Sequence, residues 1–257
     1  MIALIAIVRE TFLRLRRDKI FAPAIIAGLS LLGLSGLASY WGIEEFFKIL
    51  YDLGTTAFQL TGATVAIFWG NKIISDSRQE GSLEVQLASP VSRSTWIIGK
   101  FLGLSLALIL VALIFILGWE GIYLGYHMGL MPSHDLIIFA YLTLSWLVMG
   151  AISILFASFA NAGVAMFCSA WMFLTGLISA PIAQALAPET PESTKKIVEI
   201  LASLWNLHLF NLSTLITQGE PLDQLLLASR LGYGLLLIGF CVSLSCLIFQ
   251  NRDLIAS

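Results

Sequence analysis

Charge is what this chain has least of. Asp, Glu, Lys and Arg together make up 12% of its 257 residues, where a soluble domain carries roughly 25%. That scarcity excludes an ordinary soluble domain, and the length leaves no room for a separate one beside the apolar part. Cysteine is scarce too. Cys168, Cys241 and Cys246 sit inside apolar runs with neither CxxC spacing nor a paired extracellular pattern, so they read as small hydrophobic residues. No Ser/His/Asp arrangement, HExxH motif or pair of intramembrane acids occurs, so no catalytic centre is expected and the chain does not read as an enzyme. A cleavable leader is not evident, because the apolar stretch from Ile2 to Val8 is short, precedes an arginine cluster and lacks a small-residue cleavage site.

What is present is hydrocarbon. Hydrophobic residues reach 58% and the mean hydropathy is +0.89, the composition of an integral membrane protein. A helix of about 20 residues crosses a bilayer core of about 30 Å, and the apolar runs divide into six such spans at 21–40, 54–74, 96–119, 137–159, 162–180 and 228–249. The expected fold is therefore all-α, one transmembrane domain over 1–257. Residues 1–19 precede the first span. Ile5, Val8, Phe12 and Leu15 recur there at helical spacing, with Glu10, Arg14, Arg17 and Asp18 turned away and Arg9 and Arg16 on the flank, the pattern of an amphipathic helix lying in the membrane interface. Such arginines snorkel to lipid headgroups.

The second span is polar for its place. Thr55, Thr56, Gln59, Thr61 and Thr64 suggest either a helix facing protein or a hydrated path, or threonines bonded to their own backbone. Pro181 and Pro188 are expected to end the fifth helix. Residues 181–227 then form an outer segment, with a polar surface loop through Lys196 and a half-sunken apolar helix to Leu215. Together these two parts suggest an outer gate. Trp41, Trp119, Tyr123 and Tyr126 read as anchors at the outer boundary.

Basic residues set the orientation. Arg9, Arg14, Arg16, Arg17, Lys19, Lys72, Arg78, Arg93, Lys100 and Arg252 fall on one side if the N-terminus is cytoplasmic, against Lys48, Lys195 and Lys196 opposite and Arg230 near a boundary. The excess of positive charge marks the cytoplasmic face, so both termini and residues 75–95 lie inside.

That cytoplasmic passage is the most informative part of the chain. Ser77 and Glu80 have capping-box spacing, Gly81 and Ser82 permit a bend, Leu83 to Ala88 can form a short helix, and Ser89-Pro90 ends it. Ser92 can cap the next helix. A short helix held between two spans is a lever, with Arg78, Glu80, Glu84 and Arg93 as polar contacts for a partner; composition alone leaves a plain solvated turn equally open.

Here the chain resembles a family. Gln79-Glu80-Gly81-Ser82-Leu83-Glu84, followed by Leu87-Ala88-Ser89-Pro90-Val91-Ser92-Arg93 and Gly99-Lys100-Phe101-Leu102-Gly103, is similar to the signature of ABC-2 type permeases (type V exporter-like), especially the NosY-like branch. The resemblance implies a membrane subunit that pairs with a second permease subunit, identical or not, to form an export path in a bacterial cytoplasmic (inner) membrane. Separate ABC ATPase subunits would dock on a coupling helix containing Arg78, Glu80, Gly81, Ser82, Leu83 and Glu84, with Ser89, Pro90 and Arg93 shaping its exit. ATP and magnesium would be held by that partner, and no cofactor is expected here. Gly99-Lys100 fails as a phosphate-binding loop, since Ser94 stands at the first glycine and Phe101 at the hydroxyl position. Membrane lipid is the remaining partner, and no nucleic acid is expected. The alternative is a scaffold that couples an ATPase to a larger envelope complex without moving a substrate.

Two smaller features complete the reading. His127, Met128, Met131 and His134 are side chains suited to copper, but their spacing matches no defined site and no metal is expected. Glu120 reads as an interfacial carboxylate, and Asn211-Leu212-Ser213 as a weak glycosylation sequon.

Overall fold

Backbone groups in hydrocarbon find no water, so apolar runs satisfy their own hydrogen bonds as helices. A computed structural model describes residues 2–42, 45–79, 92–185, 191–217 and 222–250, and no strand occurs among them. The helices are α1 (Ile2–Arg16), α2 (Phe21–Trp41), α3 (Phe46–Gln79), α4 (Arg93–Gly125), α5 (Ser133–Phe159), α6 (Ala162–Ala185), α7 (Glu192–Leu204), α8 (Ser213–Thr217) and α9 (Gln224–Gln250), with a 3-10 turn at Leu207–Phe210. Five of the described helices, α2, α4, α5, α6 and α9, are long and apolar enough to cross a membrane. Helix α3 is not among them.

The reason lies in where α3 sits. It packs most extensively on α5 and also meets α2, α4, α6 and α8, so it forms the middle of the bundle and several of its polar side chains meet protein. Gln59 donates to Ser145 Oγ at 3.1 Å and Asn71 to Ser153 Oγ at 2.7 Å, both on α5. The threonines Thr55, Thr61 and Thr64 donate to the carbonyls of Tyr51, Ala57 and Leu60 in their own helix. Both sequence alternatives thus hold, on different residues. The seam between α3 and α5 is close because Gly62 has no side chain: a β-carbon there would fall 1.7 Å from the Trp146 ring. Trp146 in turn stacks on Phe58 at 4.1 Å.

Helix bounds overshoot the expected spans. Helix α3 has 34 residues and α4 has 33, about 50 Å each at 1.5 Å per residue, so both project beyond a 30 Å core. Ser77 lies inside α3 and donates to the Ile73 carbonyl at 2.8 Å, while Glu80, its expected capping-box partner, lies outside the described residues. Ser92 does cap α4, accepting from Thr95 N–H. Pro181 stands inside α6, which runs on to Ala185; a membrane helix tolerates the missing N–H where neighbours re-satisfy the backbone. Pro188 lies outside the described residues. The polar loop expected through Lys196 is helical from Glu192 onward, as the start of the amphipathic α7. Beyond it Leu207, Phe210 and Leu212 are fully buried, so that stretch packs as a plug against the bundle.

Helix α1 buries part of the expected stripe, with Leu15 buried and Phe12 packed on the core, but the buried face is rotated toward Ile7 and Thr11. Ile7, Thr11 and Leu15 turn inward, Ile5 is 60% exposed, and α1 lies along α4. Two glycines allow this. A β-carbon at Gly99 would meet Ile7 at 2.7 Å, and one at Gly103 would meet Thr11 at 2.6 Å.

Candidate functional site

Two polar clusters stand out at opposite ends of the bundle. The first surrounds the two helix ends that flank residues 80–91. Arg14 of α1 pairs with Asp76 of α3 at 3.2 Å, and Lys72 of α3 pairs with Asp18 just after α1. Lys100 of α4 lies 3.6 Å from Glu10 of α1 and sits over the Trp96 ring. Its side chain is 2% exposed while Glu10 remains half in solvent. A buried ammonium needs such a counter-charge. Glu10, Arg14 and Asp18 therefore do not face solvent away from the bundle, as their place on the α1 wheel suggests; they bind it to α3 and α4. Arg9, Arg16 and Arg17 are exposed.

Helix α4 has a second tie. Arg93 donates to the carbonyls of Phe249 and Gln250 at 3.2 and 3.0 Å, at the end of α9. Gln250 Nε2 donates to Ser94 Oγ, and Trp96 stacks on Phe249 with ring centroids 5.3 Å apart. A cation on the last carbonyls of a helix also meets the negative end of its dipole. Glu80, Gly81, Ser82, Leu83, Glu84, Ser89 and Pro90 lie outside the described residues, as does the Arg78 side chain. What is described is the mount on either side: α3 held by α1, and α4 held by α1 and α9.

The second cluster lies at the other end. Asp135, in the first turn of α5, is 0% exposed. Tyr51 Oη of α3 donates to its Oδ1 at 2.5 Å, and Trp119 Nε1–H of α4 donates to its Oδ2 at 2.8 Å. The Tyr51 and Tyr123 hydroxyls are 3.1 Å apart, and His134 Nε2 lies 3.3 Å from both Tyr51 Oη and Asp135 Oδ1. Trp119 and Tyr123 are thus buried partners in a network and not boundary anchors, whereas Trp41 is 86% exposed. Tyr126 donates to the Gly36 carbonyl of α2 at 2.8 Å. A cleft of about 400 Å³ opens beside this cluster, lined by Phe47, Lys48, Tyr51, Tyr123, Pro132 and His134 among others.

His134 turns to Tyr51 and Asp135, and His127 adopts φ 58° in the turn after α4. Met131 offers its N–H to Glu120 Oε2 at 3.1 Å, which gives Glu120 the task of closing that turn. No group of three His, Cys, Asp or Glu able to hold a metal occurs among the described residues. Asn211 accepts from Ser213 N–H and Oγ and so opens α8, with Leu212 and Ser213 buried.

Sequence reasoning missed Asp135. The signal was there as the acidic residue in the first turn of an otherwise apolar helix, but that position is an ordinary one for a carboxylate near a helix N-terminus. Comparison with known proteins supplies the remaining finding. A family model described as ABC-2 family transporter protein matches residues 18–254. A search of curated proteins finds no match.

Proposed function

Because the chain belongs to the ABC-2 transporter family, and is thereby a membrane component of an ABC transporter, we propose that it is the permease half of an exporter driven from the cytoplasm. The observation that carries this is the family match over 18–254, and the mounting of α3 and α4 supports it. Permeases of this family generally work with ABC ATPase subunits. On this reading the ATPase docks at 80–91, with Glu80 and Glu84 as polar contacts. A push there reaches α3 and α4 together, since each is tied to α1 by ion pairs.

The proposal includes six spans, with α3 as the second. A polar helix crosses a bilayer when its polar groups face protein, and Gln59 and Asn71 do so. It also includes a second permease subunit. Along α3, Leu53, Thr56, Leu60 and Thr64 stay exposed, next to an apolar groove shared with Leu31, Leu34 and Leu37 of α2. Hydroxyls on an outward stripe suit a protein-lined path better than lipid. Cytoplasmic termini, an inner-membrane location, an α1 in the interface and a NosY-like affiliation belong to the same proposal.

The test is charge reversal at the docking segment. With the ATPase coexpressed, Glu80→Lys or Glu84→Lys should leave the permease folded and membrane-inserted while separating ATP hydrolysis from transport. Full coupled activity in both variants would remove the docking assignment. Intact assembly of a larger envelope complex with no transported substrate would favour the scaffold reading.

A further inference from the structure

An aspartate in the first turn of a helix is ordinarily favoured there by the helix dipole alone. Asp135 is held otherwise. Its two oxygens are taken by Tyr51 from α3 and Trp119 from α4, while its own N–H closes a turn on the Pro132 carbonyl at 3.1 Å. The carboxylate is therefore spent on joining three helices. Tyr51 and Tyr123 are 4% and 3% exposed and Trp119 is 0% exposed, so the joint is dry on its inner side. Its outer side borders the cleft that His134 lines, and the His134 side chain is 40% exposed.

This placement has a physical consequence. A buried carboxylate is tolerated only while its donors stay in place. If α3 withdraws from α5, Asp135 loses Tyr51 and must be hydrated at once from the adjacent cleft. The joint is thus closed with all its bonds or open with water, and half-open states are disfavoured. Helix α3 carries Tyr51 near one end and Lys72 and Asp76 near the other, in one unbroken helix.

We propose that Asp135 is the positioning residue of an outer closure: its carboxylate latches α3, α4 and α5 at the end remote from the ATPase, and movement of α3 releases it as a unit. This rests on the permease reading above for its orientation and its driver.

The test uses the full chain in sealed membranes of known sidedness. Ile216→Cys places a thiol in the wall of the cleft, and its labelling rate with a membrane-impermeant maleimide is measured from each side, with the parent chain as the blank for the three native cysteines. Adding Asp135→Asn, which keeps the shape but offers an amide N–H to one of the two donors, should raise labelling from outside by about tenfold, the scale of one charge-assisted hydrogen bond. Tyr51→Phe and Trp119→Phe keep a ring and remove one donor each while leaving the carboxylate in place, so each should raise the rate at least as much as Asp135→Asn, and the pair together more. These two carry the test if Asp135→Asn does not fold. Gln59→Leu, which removes an α3–α5 bond deeper in the bundle, should leave the rate unchanged. Equal rates with and without the carboxylate, or an equal rise in Gln59→Leu, would overturn the latch. Labelling from the cytoplasmic side alone would instead overturn the orientation, a separate failure. Transport lost with Glu80→Lys while the Asp135 effect persists would support the latch independently of the docking segment.

Discussion

The two ends of the bundle use charge in opposite ways. At the end that flanks residues 80–91 each ion pair keeps a partner in reach of water: Arg14 and Asp76 are 35% and 26% exposed, Glu10 is 46% exposed beside the buried Lys100, and Lys72 is 33% exposed beside the buried Asp18. At the other end Asp135 is sealed behind two aromatic donors. A wet pair is worth little and re-forms easily, since water replaces each partner as it leaves. A sealed carboxylate has no such substitute. Small steps are thus open to the pairs beside residues 80–91, whereas the far end must switch.

The comparison breaks most completely if the seam that connects the two ends is pried open. Gly62→Val puts two methyl groups where one β-carbon already overlaps Trp146. The loss should exceed about 4 kcal/mol, the range of severe core defects, and be visible as failure to recover monodisperse protein from membranes. Survival of that variant at parental yield would mean that α3 and α5 do not pack as described.

Next in size is Asp135→Ala, which strands the Tyr51 and Trp119 donors in a dry place. A buried donor without a partner costs about 1–3 kcal/mol, so a thermal shift in detergent larger than that of any single ion pair at the opposite end is expected. A shift no larger than that of Asp76→Asn would erase the contrast.

Asp76→Asn sharpens the other side. It removes the Arg14 partner at the wet end, and its effect on stability should stay within about 1 kcal/mol and shrink as salt rises. A salt-independent loss would show that the Arg14–Asp76 pair is sealed as well.

The smallest effect concerns the plug at Leu207–Phe210. Burial holds the His208 pKa below its ordinary value of 6.5, and the Arg230 charge adds to this; the Arg230 guanidinium donates to the Leu209 carbonyl at 2.7 Å. A lowered histidine pKa means that the unfolded chain takes up the proton first. The plug's stability is therefore complete above pH 6.5 and declines as pH falls through that value. Pulsed cysteine labelling near Leu207 against pH measures it, and His208→Gln should flatten the profile.

Much of this was readable along the chain. The apolar runs located α2, α4, α5, α6 and α9 to within six residues at each end, and Ser92 was correctly read as the cap of α4. The amphipathic start was found as a helix, but Ile5 was placed in its buried stripe and Ile7 and Thr11 were not. The miss has a cause: every apolar side chain of α1 scores alike on a wheel, and the choice of face depended on the notch that Gly99 and Gly103 cut in α4. Trp119 and Tyr123 were misread for a related reason. An aromatic near a span's end is as good an anchor in lipid as a hydrogen-bond donor to a carboxylate, until its neighbour is known.

Hydropathy is a property of short stretches, so the sequence by itself determined that this chain lives in a membrane, that its elements are helices, and roughly where most of them begin and end. The passage at 80–91 was likewise marked by its local order of residues. Which faces meet was decided only in three dimensions. Lipid and protein interior are equally apolar, so no local pattern distinguishes a side chain turned to one from a side chain turned to the other. Tyr51, Trp119 and Asp135 come from three different helices, and their joining into one latch became visible only when those helices were packed side by side.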